Sequence, residues 1–174
     1  MPIEAYLNAA LILLVSLAAV NDLATRRIPN RLLLAGLAGA FILHLLSAAP
    51  GLALLRAFGG IGLGLAVFLP FYVLRGMAAG DVKMMAVVGA FTGAAQAFEI
   101  AVLTWCVGGV MALVLILVRG RLRLAIGNVG RMLLGLVATG HGSSAPPPNK
   151  SAGSMPYGLA IAIGTVAVVA RHYG

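Results

Sequence analysis

The sequence predicts an all-α, polytopic membrane protein, and three observations carry that prediction. The mean hydropathy is +1.06, and only 9% of the 174 residues are charged, where soluble globular chains carry roughly a quarter. Apolar runs recur along the whole chain, separated by loops rich in Arg, Lys, Pro and Gly. The 12 Lys and Arg outnumber the 4 Asp and Glu, and loops rich in Lys and Arg stay in the cytoplasm.

The first apolar run is Ile3 to Val20. It does not read as a secretory signal. Glu4 stands where a basic segment belongs, and Asn21-Asp22 follows where small residues would mark a cleavage site. The loop after it holds Arg26, Arg27, Ile28, Pro29 and Asn30. Pro29 forbids simple helix continuation, and Asn30 is expected to cap the next helix. The second run, Leu32 to Ala48, contains His44 and ends at a Pro50-Gly51 turn. The third goes from about Leu52 to Leu74. Its Gly59-Gly60, Gly62 and Gly64 are expected to form a flat face for close packing. The loop Arg75 to Lys83 contains Asp81. Met84 to Ala97 is apolar but short, since a span needs about 20 residues. Ala101 to Val118 is the fifth run, and Tyr157 to Ala170 the last.

Charge turns these runs into a topology. With the Asp22, Asp81 and Arg119 loops on one side, that side holds Arg26, Arg27, Arg31, Arg75, Lys83, Arg119, Arg121, Arg123, Arg131 and Lys150. The other side holds Arg56 and Arg171. Lys83 and Arg119 share a side only if the chain crosses twice between them, so the short fourth run must cross as well. The expectation is six transmembrane helices with both termini on the non-cytoplasmic side. Residues 1–174 are expected to form a single membrane-embedded domain, with 119–154 a basic, partly flexible cytoplasmic loop.

The same composition narrows the chemistry. The net charge of +8 is scattered among loops and forms no single stripe, which argues against nucleic acid. One cysteine, Cys106, excludes an intramolecular disulfide and a cysteine-based zinc cluster. His44, His141 and His172 have no metal-ligand spacing, so neither a metal nor a cofactor is expected. That leaves Asp22 and Asp81, the only aspartates, at two equivalent boundaries between an apolar run and a basic loop. Three readings stand. They are interfacial residues, which helix ends tolerate. They belong to a proton or ion pathway, which favours carboxylates nearer the bilayer midplane. Or they are a catalytic pair, in which like charges a few ångströms apart cannot both ionise, so that one carboxyl keeps a proton.

The residues around the aspartates discriminate. Asp22 followed by Thr25-Arg26-Arg27-Ile28-Pro29-Asn30 resembles the first aspartate motif of the type IV prepilin peptidases. Ala79-Gly80-Asp81-Val82-Lys83 resembles the second, Gly-x-Gly-Asp followed by x-Lys. Met155-Pro156-Tyr157-Gly158 is similar to the Pro-aromatic-Gly sequence that opens the family's last span. The best match is to the short form of the family, similar to the peptidases of tight-adherence (Flp) pilus systems. The resemblance implies an aspartic endopeptidase in the bacterial inner membrane, with Asp22 and Asp81 catalytic. Gly80, Lys83, Ile28, Pro29, Asn30, Pro156, Tyr157 and Gly158 would support them. Such an enzyme removes the short basic leader of a prepilin or pseudopilin precursor on the cytoplasmic side. Bifunctional members resemble this chain preceded by a cytoplasmic domain with cysteine pairs, so peptidase activity without N-methyltransferase activity is expected. A catalytically weak or inactive membrane scaffold that binds precursors or assembly partners is the alternative. One position departs from the motif: Ala78 stands where its first glycine would be.

Smaller expectations follow from position. Lys83 lies about 200° around a helix from Asp81, so a direct pair is disfavoured, and a lipid phosphate or a role at the site is open to it. The basic loops serve as topology signals and contacts for anionic membrane lipids. His44 is expected to hydrogen-bond a neighbouring helix, Glu99 to be solvated on the outer side, and Met84 and Met85 to be packing residues.

Overall fold

The computed structural model describes residues 2–74, 76–118 and 156–173. Among them every regular element is a helix. In chain order these are α1 (Pro2–Thr25), α2 (Asn30–Leu45), α3 (Pro50–Val73), α4 (Ala79–Val118) and α5 (Tyr157–Tyr173). The chain divides into two compact units, Met1–Gly108 with Pro156–Gly174, and Gly109–Met155. The described part of the second is the end of α4. The expected loop at 119–154, with its four arginines and Lys150, lies outside the described residues, as does Arg75.

Among the described residues three helices are long and apolar enough to cross a membrane: Ile3–Thr25 of α1, α3 and α4. Two shorter apolar helices, α2 and Tyr157–His172 of α5, accompany them. The element α4 contains both the fourth and the fifth apolar runs. It is 40 residues long and is broken at Gly93, whose φ of 76° and ψ of 174° are non-helical. The hydropathy pattern put this boundary at 98–100, around Glu99. The chain breaks earlier because this backbone conformation is accessible to glycine and strained for residues with a Cβ. Glu99 stays inside the helix and forms an ion pair with Arg171 of α5. Glu99, expected to be solvated, is thus paired at the surface.

Proline and glycine set the remaining geometry. Pro50 opens α3 in its first turn, where its missing N–H costs no helical bond. Along one face of α3, Gly60 and Gly64 meet α4. A Cβ on Gly60 would overlap the carbonyl of Gly89, a Cβ on Gly89 would overlap the backbone of Gly60, and one on Gly64 would sit 2.7 Å from the Met85 carbonyl oxygen. Residues four apart share a helix face, so the backbones approach through this pair of small residues. Gly62 faces open space and Gly59 comes no nearer than 4.0 Å to Ala94, so the expected four-glycine face is in fact Gly60 with Gly64.

Helix α1 packs on α5 and α2, and α2 packs on α3. The core between them includes Leu11, Val15, Phe68, Ile100 and Ile161, with Met84 and Met85 fully buried as packing residues. His44 is buried too, and its Nε2–H donates to the Ala90 carbonyl of α4 at 2.8 Å. The break at Gly93 interrupts the helical ladder just after Ala90, and His44 supplies a donor at that point. The expected helix-to-helix role of His44 is therefore met at a specific place.

Candidate active site

The three sequence motifs converge at one end of the helices. Asp22 lies in the last turn of α1 and Asp81 in the first turn of α4. Each is only 6% exposed, in a chain where burying an unpartnered carboxylate is costly. Each has a backbone partner. The Gly158 N–H, at the start of α5, donates to Asp22 Oδ2 at 2.8 Å. The Ala78 N–H donates to Asp81 Oδ2 at 3.3 Å, and the Asp81 N–H donates back to the Ala78 carbonyl at 3.1 Å. Both bonds use N–H groups that helix starts leave without intrahelical acceptors. The contacts of Ile28 with Gly80 and of Lys83 with Asn30 join the two aspartate motifs, and the Gly158 bond joins Asp22 to the start of α5, so the three motifs, far apart in sequence, lie side by side.

Local chain geometry explains how these side chains are presented. After α1 the Arg26 N–H closes on the Asp22 carbonyl at 2.9 Å, with Arg26 in the left-handed region at φ 56°. Such a residue turns the chain sharply at a helix C-terminus. Thr25 Oγ reaches the carbonyls of Asn21 and Arg27, at 2.9 and 3.2 Å, and bridges the turn. Pro29 then caps α2 with its backbone: its carbonyl accepts from the Leu32 and Leu33 N–H groups at 3.1 and 3.3 Å. The cap expected of Asn30 is thus absent, because Asn30 is the first helical residue and Pro29 occupies the cap position without a side-chain bond.

What Asn30 does is join two motifs. Its Oδ1 accepts from Lys83 Nζ at 3.3 Å. Lys83 points away from Asp81, as helical spacing requires, and toward α2. Beside this contact, Ile28 packs over Gly80, with its Cβ 3.5 Å from where a glycine Cβ would lie. The Ile-Pro-Asn segment therefore braces the Gly-Asp-x-Lys segment by one apolar and one polar contact. The third motif braces Asp22. Pro156 accepts from the Leu159 N–H at 3.2 Å and so starts α5. A Cβ on Gly158 would come within 2.9 Å of Asp22 Oδ2 and 3.1 Å of Asp22 Cβ. The glycine is what lets the carboxylate approach the helix start. Across the site, Tyr157 lies against Gly108, where a Cβ would meet its hydroxyl at 2.9 Å.

Ala78 fits its position without strain. Among the described residues, Arg26 is the one non-glycine residue with positive φ, so Ala78 does not occupy the left-handed region where glycine would be favoured. It sits at the cap of α4, with Asp81 three residues on reaching back to its N–H, one half of a capping box.

Two cavities among the described residues have no aspartate in their lining. One, of about 320 Å³, lies among α2, α3 and α4 beside Asn30 and Lys83. The other, of about 760 Å³, is lined by Glu4, Asn8, His44, Arg56 and Gln96, among others. Glu4 is 18 residues from Asp22 along α1, about 27 Å at the helical rise, so this larger cavity opens at the opposite end. Among the described residues no group of three or more His, Cys, Asp or Glu side chains could hold a metal ion.

A helical membrane protein with two buried, backbone-held aspartates at one end of its bundle now has a family to set beside it. Residues 9–117 match the model of the type IV leader peptidase family, and the chain belongs to that family. It is therefore a membrane peptidase of the prepilin-processing class, whose substrates are prepilin-like. The matched range includes both aspartate motifs, while Pro156, Tyr157 and Gly158 lie beyond it. No curated protein and no solved structure matches the chain.

Proposed function

We propose that Asp22 and Asp81 are the catalytic pair of an aspartic endopeptidase that removes the short basic leader of a prepilin-like precursor. The observation that supports this reading is the packing of the two aspartate motifs on each other, with both aspartates buried and each held by a backbone N–H. In the reaction, an ionised carboxylate takes a proton from water, and the water oxygen adds to the scissile carbonyl carbon. The protonated carboxyl of the pair donates to the carbonyl oxygen. Collapse of the tetrahedral intermediate breaks the C–N bond, and the leaving nitrogen takes up a proton. The pair acts as one titrating unit, so neither aspartate is assigned a fixed role.

The layout proposed with it has six spans and both termini on the non-cytoplasmic side of the bacterial inner membrane, which puts the pair at the cytoplasmic face. Two features support it: the ten-to-two division of Lys and Arg, and the break at Gly93 that divides α4 into two apolar segments.

The test uses membrane vesicles of both orientations, carrying the full chain and a precursor added from outside. Leader release from inside-out vesicles alone is expected, with the new N-terminus read by mass spectrometry. Release from right-side-out vesicles would contradict the orientation. Release by both Asp22→Asn and Asp81→Asn would contradict the mechanism.

A further inference from the structure

The groove among α2, α3 and α4 has a composition that the cleavage reaction does not use. Leu33, Leu34 and Leu37 of α2, Ile61 and Leu65 of α3 and Ala86 and Val87 of α4 line it, and its polar groups are Asn30 and Lys83 at one end. The volume is about 320 Å³. From Asn30 to Leu37 the groove follows α2 for about 10 Å at the helical rise. Its wall is open, since Leu34 is 68% exposed. Two of the three helices that form it are long and apolar enough to cross a membrane, and in the proposed layout it would face hydrocarbon along its length and headgroups at the Lys83 end.

We propose that this groove holds one acyl chain of an anionic phospholipid, with the headgroup phosphate at Lys83 Nζ. Charge complementarity selects that occupant. Lys83 is exposed and donates to a neutral amide oxygen, Asn30 Oδ1, at 3.3 Å, so its positive charge is not neutralised there. Asn30 orients the ammonium at the mouth, and the leucines below it exclude water. A cationic leader peptide would be repelled at this mouth. A zwitterionic lipid brings its own cation to compete for the phosphate, and an anionic one does not. The bound lipid would fill the seam beside the Asn30–Lys83 contact that braces the two aspartate motifs.

Brominated lipids, which quench a nearby tryptophan, test the site. Trp105 is the one tryptophan of the chain, and among the described residues its buried Nε1 has no hydrogen-bond partner. Trp105→Phe therefore gives a silent background without breaking a bond. In that background Leu34→Trp reports from the groove and Leu46→Trp from the far end of α2. The full chain is reconstituted in brominated phosphatidylcholine, and unbrominated phosphatidylglycerol or phosphatidylcholine is added. At Leu34→Trp, phosphatidylglycerol should restore fluorescence about fivefold more effectively, the scale of one lysine at an anionic surface. Lys83→Gln should remove the preference, Lys83→Arg should keep it, and Leu46→Trp should show none. Equal displacement by the two lipids at Leu34→Trp, or a preference that survives Lys83→Gln, would overturn the proposal. So would recovery caused by a precursor peptide and by neither lipid, which would assign the groove to substrate. Lys83→Arg guards against misfolding as the cause of a loss. The readout needs no cleavage, so its outcome is independent of the aspartic mechanism.

Discussion

The Gly158 N–H and the Asp22 carboxylate are 2.8 Å apart, although 136 residues separate them in sequence. This bond ties the start of the last helix to the end of the first, and a side chain at position 158 would occupy the space of the carboxylate. Gly158→Ala places a methyl group within 2.9 Å of Oδ2. The carboxylate must then move, and displacements of about 1 Å at a catalytic group can cost about a hundredfold in rate. Precursor processing should fall on that scale while the protein stays folded, as followed by leader release and size-exclusion chromatography.

Ala78 gives the opposite expectation. Its backbone is outside the left-handed region, and it caps α4, where glycine is modestly better than alanine. Ala78→Gly should therefore leave processing within about threefold and stability within about 1 kcal/mol. A large gain in cleavage rate would show that the alanine distorts the loop.

The glycine contact between α3 and α4 can be tested by contrast. Gly60→Ala and Gly89→Ala each push a methyl group into the backbone of the facing helix, whereas Gly62→Ala points into open space. The first two should destabilise the protein by at least the ~1–3 kcal/mol typical of overpacking, and the third should be near neutral. Thermal unfolding in detergent reads the difference.

The ion pair of Glu99 with Arg171 sits at the protein surface, with side chains 39% and 68% exposed. Exposed pairs contribute about 1 kcal/mol or less. Glu99→Gln should thus shift the melting temperature only slightly and leave processing unchanged. A large loss of activity would mean that the C-terminal end of α5 influences the site.

What could be read in advance, and what could not, divides along physical lines. Asp22 and Asp81 stood out because carboxylates are rare and costly in so apolar a chain, and their flanking residues carried the family resemblance. Hydropathy located the apolar runs but misplaced the break in α4, since it registers the polarity of Glu99 and is blind to the backbone freedom of Gly93. Asn30 resembled a cap by residue type, yet Pro29 supplies the cap with its carbonyl and Asn30 reaches Lys83, 53 residues away. That contact and the one between His44 and Ala90 depend on how helices meet, and backbone carbonyls and N–H groups leave no mark in a sequence. The reason for glycine at 158 became visible only once Asp22 lay against it.

Asp22 and Asp81 are proposed to act together. The most direct measurement is the initial rate of leader release by Asp22→Asn, Asp81→Asn and the double variant, each compared with the unmodified protein at equal folded concentration. Residues that act as one catalytic unit are strongly non-additive, and losses of about a thousandfold or more are usual when one is removed. Each single variant should lose at least that much, and the double variant should be no slower than the worse single. Retained processing in both single variants, or losses that multiply in the double, would contradict a shared aspartic site.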